Sequence, residues 1–145
     1  MDKGVAVGLT AFAGGLVALQ APINSGLGRT VGTFGAASMS FAIGTIVLVS
    51  IAAVTGGWHF SGIGELSWYY FLGGLLGAVY VTSVLVTVRT LGAGGVTAAT
   101  ISGQLAMSVV IDRLGLFGLE QKSISVGRMV GVALLAAGVF LIVRE

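Results

Sequence analysis

The side chains in this sequence that could take part in chemistry are mainly neutral amides and hydroxyls set within long apolar runs. Gln20 and Asn24 stand four residues apart, and Gln104, Ser108 and Asp112 follow one another at the same spacing. Residues four apart share one face of a helix, so each set predicts a polar stripe. Such a stripe could exchange hydrogen bonds with a small solute. It could equally join neighbouring helices, which is a common use of amides in membranes.

Further polar positions extend this prediction. Pro22, which lies between Gln20 and Asn24, has no backbone N–H to donate within a helix, which predicts a kink there. Tyr80 lies near the middle of its apolar run, where its hydroxyl needs a partner, so it could orient a solute or cap a neighbouring polar group. Ser38 and Ser40 are expected only to bond to carbonyls of their own helix. The predicted solute-binding residues are Gln20, Asn24, Tyr80, Gln104 and Ser108, and Asp112 with Arg113 is predicted to be a gate or an ordinary interfacial ion pair.

The sequence lacks the residues that metal binding, catalysis or nucleic-acid binding would require. The sequence has no cysteine and one histidine, His59, too few for the usual metal site of three or four protein ligands, so we expect no metal and no cofactor. No nucleophile, base and orienting acid can be assembled, and we expect no catalytic residues. The seven basic residues are scattered, so nucleic acid is not an expected partner.

The elements that position these residues are expected to be membrane-spanning helices. Of the 145 residues, 56% are hydrophobic and 8% are charged, against about 25% charged in a soluble domain. A span needs about 20 apolar residues. The charge-free runs predict an all-α integral membrane protein, a single domain of residues 1–145 with five helices at about 4–27, 34–55, 67–88, 92–111 and 124–143.

Two of these helices have alternative interpretations. Residues 1–27 could instead be a signal peptide, but the run is longer than a typical signal core and four further spans follow. The last helix could be limited to Met129–Val143, because Arg128 interrupts the apolar run, or could extend back to about Ser123 if the Arg128 side chain reaches the membrane surface.

The basic residues give almost no preferred orientation. Five spans put the ends of the chain on opposite sides, with four basic residues on the N-terminal side (Lys3, Arg113, Lys122, Arg128) and three on the other (Arg29, Arg89, Arg144). Because the difference in Lys and Arg between short loops sets orientation, two hypotheses stay open. One is a weak preference for the N-terminus inside, and the other is insertion in both orientations followed by antiparallel pairing.

Five helices enclose little volume for a pathway. Many secondary transporters consist of two inverted repeats with the solute between them, and two oppositely oriented copies of this chain would supply such repeats. The sequence has no ring of charged residues of the kind that would indicate a channel. The sequence thus favours a transporter, with a membrane packing or accessory subunit as the alternative.

Three segments resemble a known family. These are QAPINSGLGRTVGTFGAASMSFAIG from Gln20 to Gly44, GGLLGAVYV from Gly73, and GQLAMSVVIDRLGLFG from Gly103 to Gly118. They resemble the half-size, YdcZ-like branch of the drug/metabolite transporter superfamily, and the resemblance covers nearly the whole chain. It implies that the chain is one half of a ten-helix inverted-repeat fold.

The resemblance also implies partners and a location. We expect an antiparallel homodimer, or a heterodimer with a related five-helix chain, in the lipid of the bacterial inner membrane, transporting a small solute by alternating access. Related four-helix small multidrug exporters carry a glutamate midway along helix 1, where this sequence has Phe12-Ala13-Gly14-Gly15. Proton-coupled export of cationic drugs is therefore not expected.

Overall fold

The charge-free apolar runs form helices in a computed structural model that describes residues 2–144. The long helices are α1 (Lys3–Val31), α2 (Thr33–Thr55), α3 (Leu72–Leu114) and α4 (Val126–Arg144). Three short 3-10 segments lie in the connections, at Ile63–Glu65, Trp68–Phe71 and Leu116–Gly118. The described residues contain no strand. All four long helices are apolar and long enough to cross a membrane, which confirms the expected all-α membrane class.

Four long helices stand where the sequence predicts five, because two predicted spans lie within α3. At 43 residues this helix would be about 65 Å long if straight, roughly twice the hydrocarbon core of a bilayer. Its backbone is not helical at Gly92, where φ is 66° and ψ is 171°. A positive φ favours glycine. The interruption falls at the start of the predicted 92–111 span, where one non-helical residue stands in place of a longer connection.

An aspartate caps the start of α1, and a glycine separates its end from the start of α2. The carboxylate of Asp2 accepts hydrogen bonds from the backbone N–H groups of Gly4 and Val5 and so caps the start of α1. This helix continues through Pro22 to Val31, four residues beyond its predicted end at 27. It ends at Gly32, with φ of 79°, and α2 begins at the next residue.

The described chain forms two compact units that divide between Arg89 and Thr90. In the first unit, α1 and α2 pack together with the part of α3 that precedes the division. Small side chains let the helices approach, since a Cβ on Gly77 would lie 3.3 Å from the ring of Phe41. The buried centre of this unit consists of Ala36, Ala37, Val81 and Leu85, with Leu27 and Tyr80 packed against it.

The second unit is a pair of antiparallel helices, the rest of α3 and α4. Leu91 and Ala99 share a cavity of about 500 Å³ with Phe140 and Val143. Further along the pair, Ala106 lines a smaller cavity with Met129 and Val132. The connection between these helices occupies 115–125.

The helices bury very little of their apolar surface within the chain. In the most apolar stretch of each, the buried share is 6% for α1, 6% for α2, 17% for the Trp68–Leu114 span and 0% for α4. Such surface is stable in hydrocarbon but not in water. Lipid or another protein must therefore cover it.

Candidate functional site

Asn24 joins two helices of the first unit. Its side chain is 6% exposed, and its Nδ2 donates a hydrogen bond to the Oγ of Ser40 over 3.1 Å. Because Asn24 lies in α1 and Ser40 in α2, this bond holds the two helices in register. The amide thus has a structural partner, the alternative that the sequence left open, and Ser40 has a role beyond its own helix.

We predict that a double-mutant cycle on Asn24→Ala and Ser40→Ala gives a coupling energy of about 0.6 kcal/mol, and at most about 1.7, as for interhelical hydrogen bonds in membranes. The free energy of unfolding in mixed micelles, followed by circular dichroism, measures it. Ser50 is the matched control in α2, because its hydroxyl donates to the carbonyl of Ile46 in its own helix. A cycle of Asn24→Ala with Ser50→Ala should give no coupling. Equal coupling in the two cycles would show that the Asn24 bond does not form.

Gln20 and Tyr80 have polar groups without a partner in the part of the chain that the structure describes. Gln20 lies exposed on α1, and its amide makes no hydrogen bond there. Tyr80 is half-buried against the core of the first unit, and its hydroxyl likewise has no partner among residues 2–144. A polar group left unpaired in hydrocarbon costs roughly 2–7 kcal/mol. Both groups therefore require a solute, water or another chain.

In the predicted polar stripe of the second unit, some side chains have a hydrogen-bond partner and others have none among residues 2–144. Gln104 is exposed near the middle of the α3 segment that follows Gly92, and its amide is unpartnered within the described residues. Ser108 donates to the carbonyl of Leu105 over 2.8 Å, so its hydroxyl proton is already used. The hydroxyl of Ser102, two residues before Gln104, is buried and has no partner within residues 2–144.

Asp112 forms an ion pair with Arg128, not with its neighbour Arg113. The Asp112 Oδ2 and Arg128 Nη2 atoms are 2.5 Å apart, linking the end of α3 to the first turns of α4. Arg113 is exposed, and its backbone carbonyl accepts a hydrogen bond from the side chain of Gln121. The N–H of Lys122 donates to the Asp112 carbonyl over 2.8 Å. These bonds fasten the 115–125 connection, and Arg128, which the sequence predicted to reach the membrane surface, pairs with a carboxylate.

A cleft of about 770 Å³ lies between α2 and α3 in the first unit. The rings of Phe34 and Phe41 line it on the α2 side. Its hydroxyls come from Ser38, Thr82, Ser83 and Thr87, and its lining contains no charged residue. Ser83 and Thr87 donate to carbonyls of their own helix, which leaves oxygen lone pairs to accept hydrogen bonds from a solute.

The family described as "Putative inner membrane exporter, YdcZ" matches residues 5–141. This chain belongs to the YdcZ family. The resemblance noted in the three sequence segments is confirmed, and the chain is a multi-pass protein of the inner membrane. Its family is one of transporters and not of enzymes. No curated protein and no solved structure matches the chain.

Three features of this YdcZ-family chain were not predicted from its sequence. They are the α2–α3 cleft, the Ser40 acceptor and a hydrogen bond from the Nε of Arg89 to the Oγ of Ser25 over 3.2 Å. The spacing of Ser83 and Thr87 indicates one polar face of α3, but it does not indicate which helix that face meets. From the sequence, Arg89 was interpreted only as a basic residue at the membrane surface. Its contact is with a residue 64 positions away, and no local sequence pattern predicts such a contact.

Proposed function

We propose that this YdcZ-family chain exports a small solute across the inner membrane by alternating access, working as an antiparallel dimer with a second copy or a related chain. The description of the family supports export as the direction of transport. The observation that carries the proposal is the exposed Gln104 amide, which lies mid-helix in a membrane span and has no partner in the described chain.

The position of this amide requires something polar opposite it. Gln104 is about ten residues from either end of its α3 segment, far from the water at both membrane surfaces. Since an unpaired amide in hydrocarbon is costly, a solute pathway or a partner chain must satisfy it. An antiparallel dimer around a central pathway supplies both.

The same reasoning assigns roles to the other predicted site residues. Gln20 and Tyr80 contact the solute, because their polar groups are also unpartnered among residues 2–144. Asn24 and Ser108 line the pathway while keeping the partners found here. Asp112 acts as a gate with Arg113 close by, and opening requires the carboxylate to leave Arg128.

The proposed solute is uncharged. No Asp, Glu, Lys or Arg lines the α2–α3 cleft, whose groups are hydroxyls and phenyl rings. A charged solute entering hydrocarbon without an opposite charge would pay a large desolvation cost. Hydroxyls and amides instead recognise a solute through neutral hydrogen bonds.

The proposal also includes five membrane spans in each chain and insertion of the chain in both orientations. Gly92 supports a boundary between two spans inside α3, because its backbone departs from the helix there. With five spans, four basic residues lie on the N-terminal side of the membrane and three on the other side. This difference is too small to fix one orientation. Each chain then forms one half of an inverted pair.

The proposal is tested by the solutes that cells release. Cells expressing the chain are compared with cells carrying an empty vector, and mass spectrometry records the small molecules in the medium. We expect one solute, or a few related uncharged solutes, to accumulate outside only when the chain is present in the membrane. An unchanged profile with folded protein in the membrane would instead favour the accessory subunit.

A further inference from the structure

The guanidinium of Arg89 is held in place by α1. Its Nε donates to Ser25, whose side chain is 6% exposed and therefore fixed by the packing around it. The Nη2 atom lies over Gly28, where a Cβ would come within 3.1 Å of it. An arginine that only reaches for the membrane surface extends away from its helices, whereas Arg89 folds back onto a serine and a glycine.

Arg89 has no carboxylate partner among residues 2–144. The ion pair recorded among residues 2–144 joins Asp112 and Arg128. In the first unit the acidic residues are Asp2 and Glu65, which precede α1 and follow α2. The end where α1 meets α2 carries Arg29 as well as Arg89, so this end of the unit is positively charged.

The Nη2 atom of Arg89 lies near the start of α2. Ser25 accepts only from Nε, and the N–H groups on Nη1 and Nη2 have no hydrogen-bond partner among residues 2–144. The Cβ point on Gly28 that lies close to Nη2 is also 3.6 Å from the Cβ of Ala36, in the first turn of α2. That turn begins at Gly32 without a side-chain cap, and the helix dipole adds positive potential there.

We propose that Arg89, positioned by Ser25 and Gly28, binds a phosphate-bearing anion at this membrane surface. A guanidinium binds phosphate through two parallel hydrogen bonds, and a pre-positioned guanidinium loses little side-chain entropy on binding. The phosphate belongs either to the headgroup of an anionic phospholipid or to a free anion. This site is independent of the neutral pathway proposed above.

The lipid source is tested with purified protein in phosphatidylcholine nanodiscs containing phosphatidylglycerol. Native mass spectrometry counts the phosphatidylglycerol molecules that stay bound. We expect the wild-type chain to retain this lipid in preference to phosphatidylcholine, and Arg89→Gln to bind it about tenfold more weakly, because a charge-assisted bidentate contact is lost.

The free-anion source is tested in nanodiscs of phosphatidylcholine alone. Inorganic phosphate is added, with sodium chloride of equal ionic strength as the reference, and the unfolding midpoint is recorded. A rise in the midpoint with phosphate that disappears in Arg89→Gln would identify a free anion as the ligand.

Two glycine variants keep both tests decisive. Gly28→Ala places a methyl group 3.1 Å from Nη2, closer than ordinary van der Waals contact, and should shift the guanidinium, whereas a Cβ at Gly26 has nothing within 4 Å. Both changes put alanine in the same helix, so Gly26→Ala controls for helix propensity. We expect Gly28→Ala, but not Gly26→Ala, to weaken the binding seen in either test.

The proposal is overturned if the wild-type chain neither prefers phosphatidylglycerol nor responds to phosphate, or if Arg89→Gln and Gly28→Ala bind as the wild type does. Should Arg89→Gln fail to fold, the comparison of the two glycine variants decides alone.

Discussion

Replacing Gln104 with leucine is expected to abolish solute export while the chain still folds and inserts in the membrane. The Gln104 side chain is exposed, so leucine of similar size creates no cavity. It also removes an unpaired amide from a membrane span, which favours insertion. What is lost is the donor and acceptor for the solute. Losing such a contact should lower export at least about tenfold.

Met107→Leu is the matched control for this variant. Met107 lies one turn further along α3 and is 60% exposed, and its replacement exchanges one apolar side chain for another of similar volume. Export is measured as the extracellular amount of the accumulated solute, normalised to the protein found in the membrane. Normal export by Gln104→Leu would remove Gln104 from the pathway, whereas equal losses in both variants would indicate a packing effect.

Single cysteines at opposite ends of α2 are expected both to react with a label added outside intact cells. Thr30 lies one turn before α2, and Ser61 lies in the connection after it, so about 35 Å of helix separates the two positions. The sequence has no cysteine, and neither change alters a basic residue. A chain with one orientation exposes one position only. Labelling at both Thr30→Cys and Ser61→Cys therefore means insertion in both orientations.

Added lysines provide the control for orientation. In a background with Gly64→Lys and Ser67→Lys, the connection between α2 and α3 gains two positive charges, which should hold it on the cytoplasmic side. Ser61→Cys should then lose its labelling from outside, and export should fall unless an oppositely oriented copy is supplied. Full export by this variant alone would contradict the antiparallel homodimer. Labelling of only one position in the starting chain would direct attention to a related partner chain.

The length and composition of the apolar runs were sufficient to predict the membrane class, because crossing hydrocarbon imposes the same demand on every span. The predicted 34–55 run differs from α2 by one residue, whereas the helix predicted from 67 begins at Leu72. At α1 the prediction stopped at 27 while the helix continues to Val31, since Gly28 fits inside a helix and Gly32 ends it. The boundary near Gly92 was expected, although one residue and not a loop marks it.

The sequence determined which polar groups enter the membrane, and the tertiary structure decided which of them have a partner within the chain. Gln20, Asn24 and Gln104 look alike in sequence, yet Asn24 bonds to Ser40 while the other two amides have no partner among residues 2–144. Likewise Asp112 pairs with Arg128 and not with Arg113 beside it. Helices that are apolar on every side carry little periodic signal to show which face meets which neighbour. Only the packed helices bring such distant side chains within hydrogen-bonding distance.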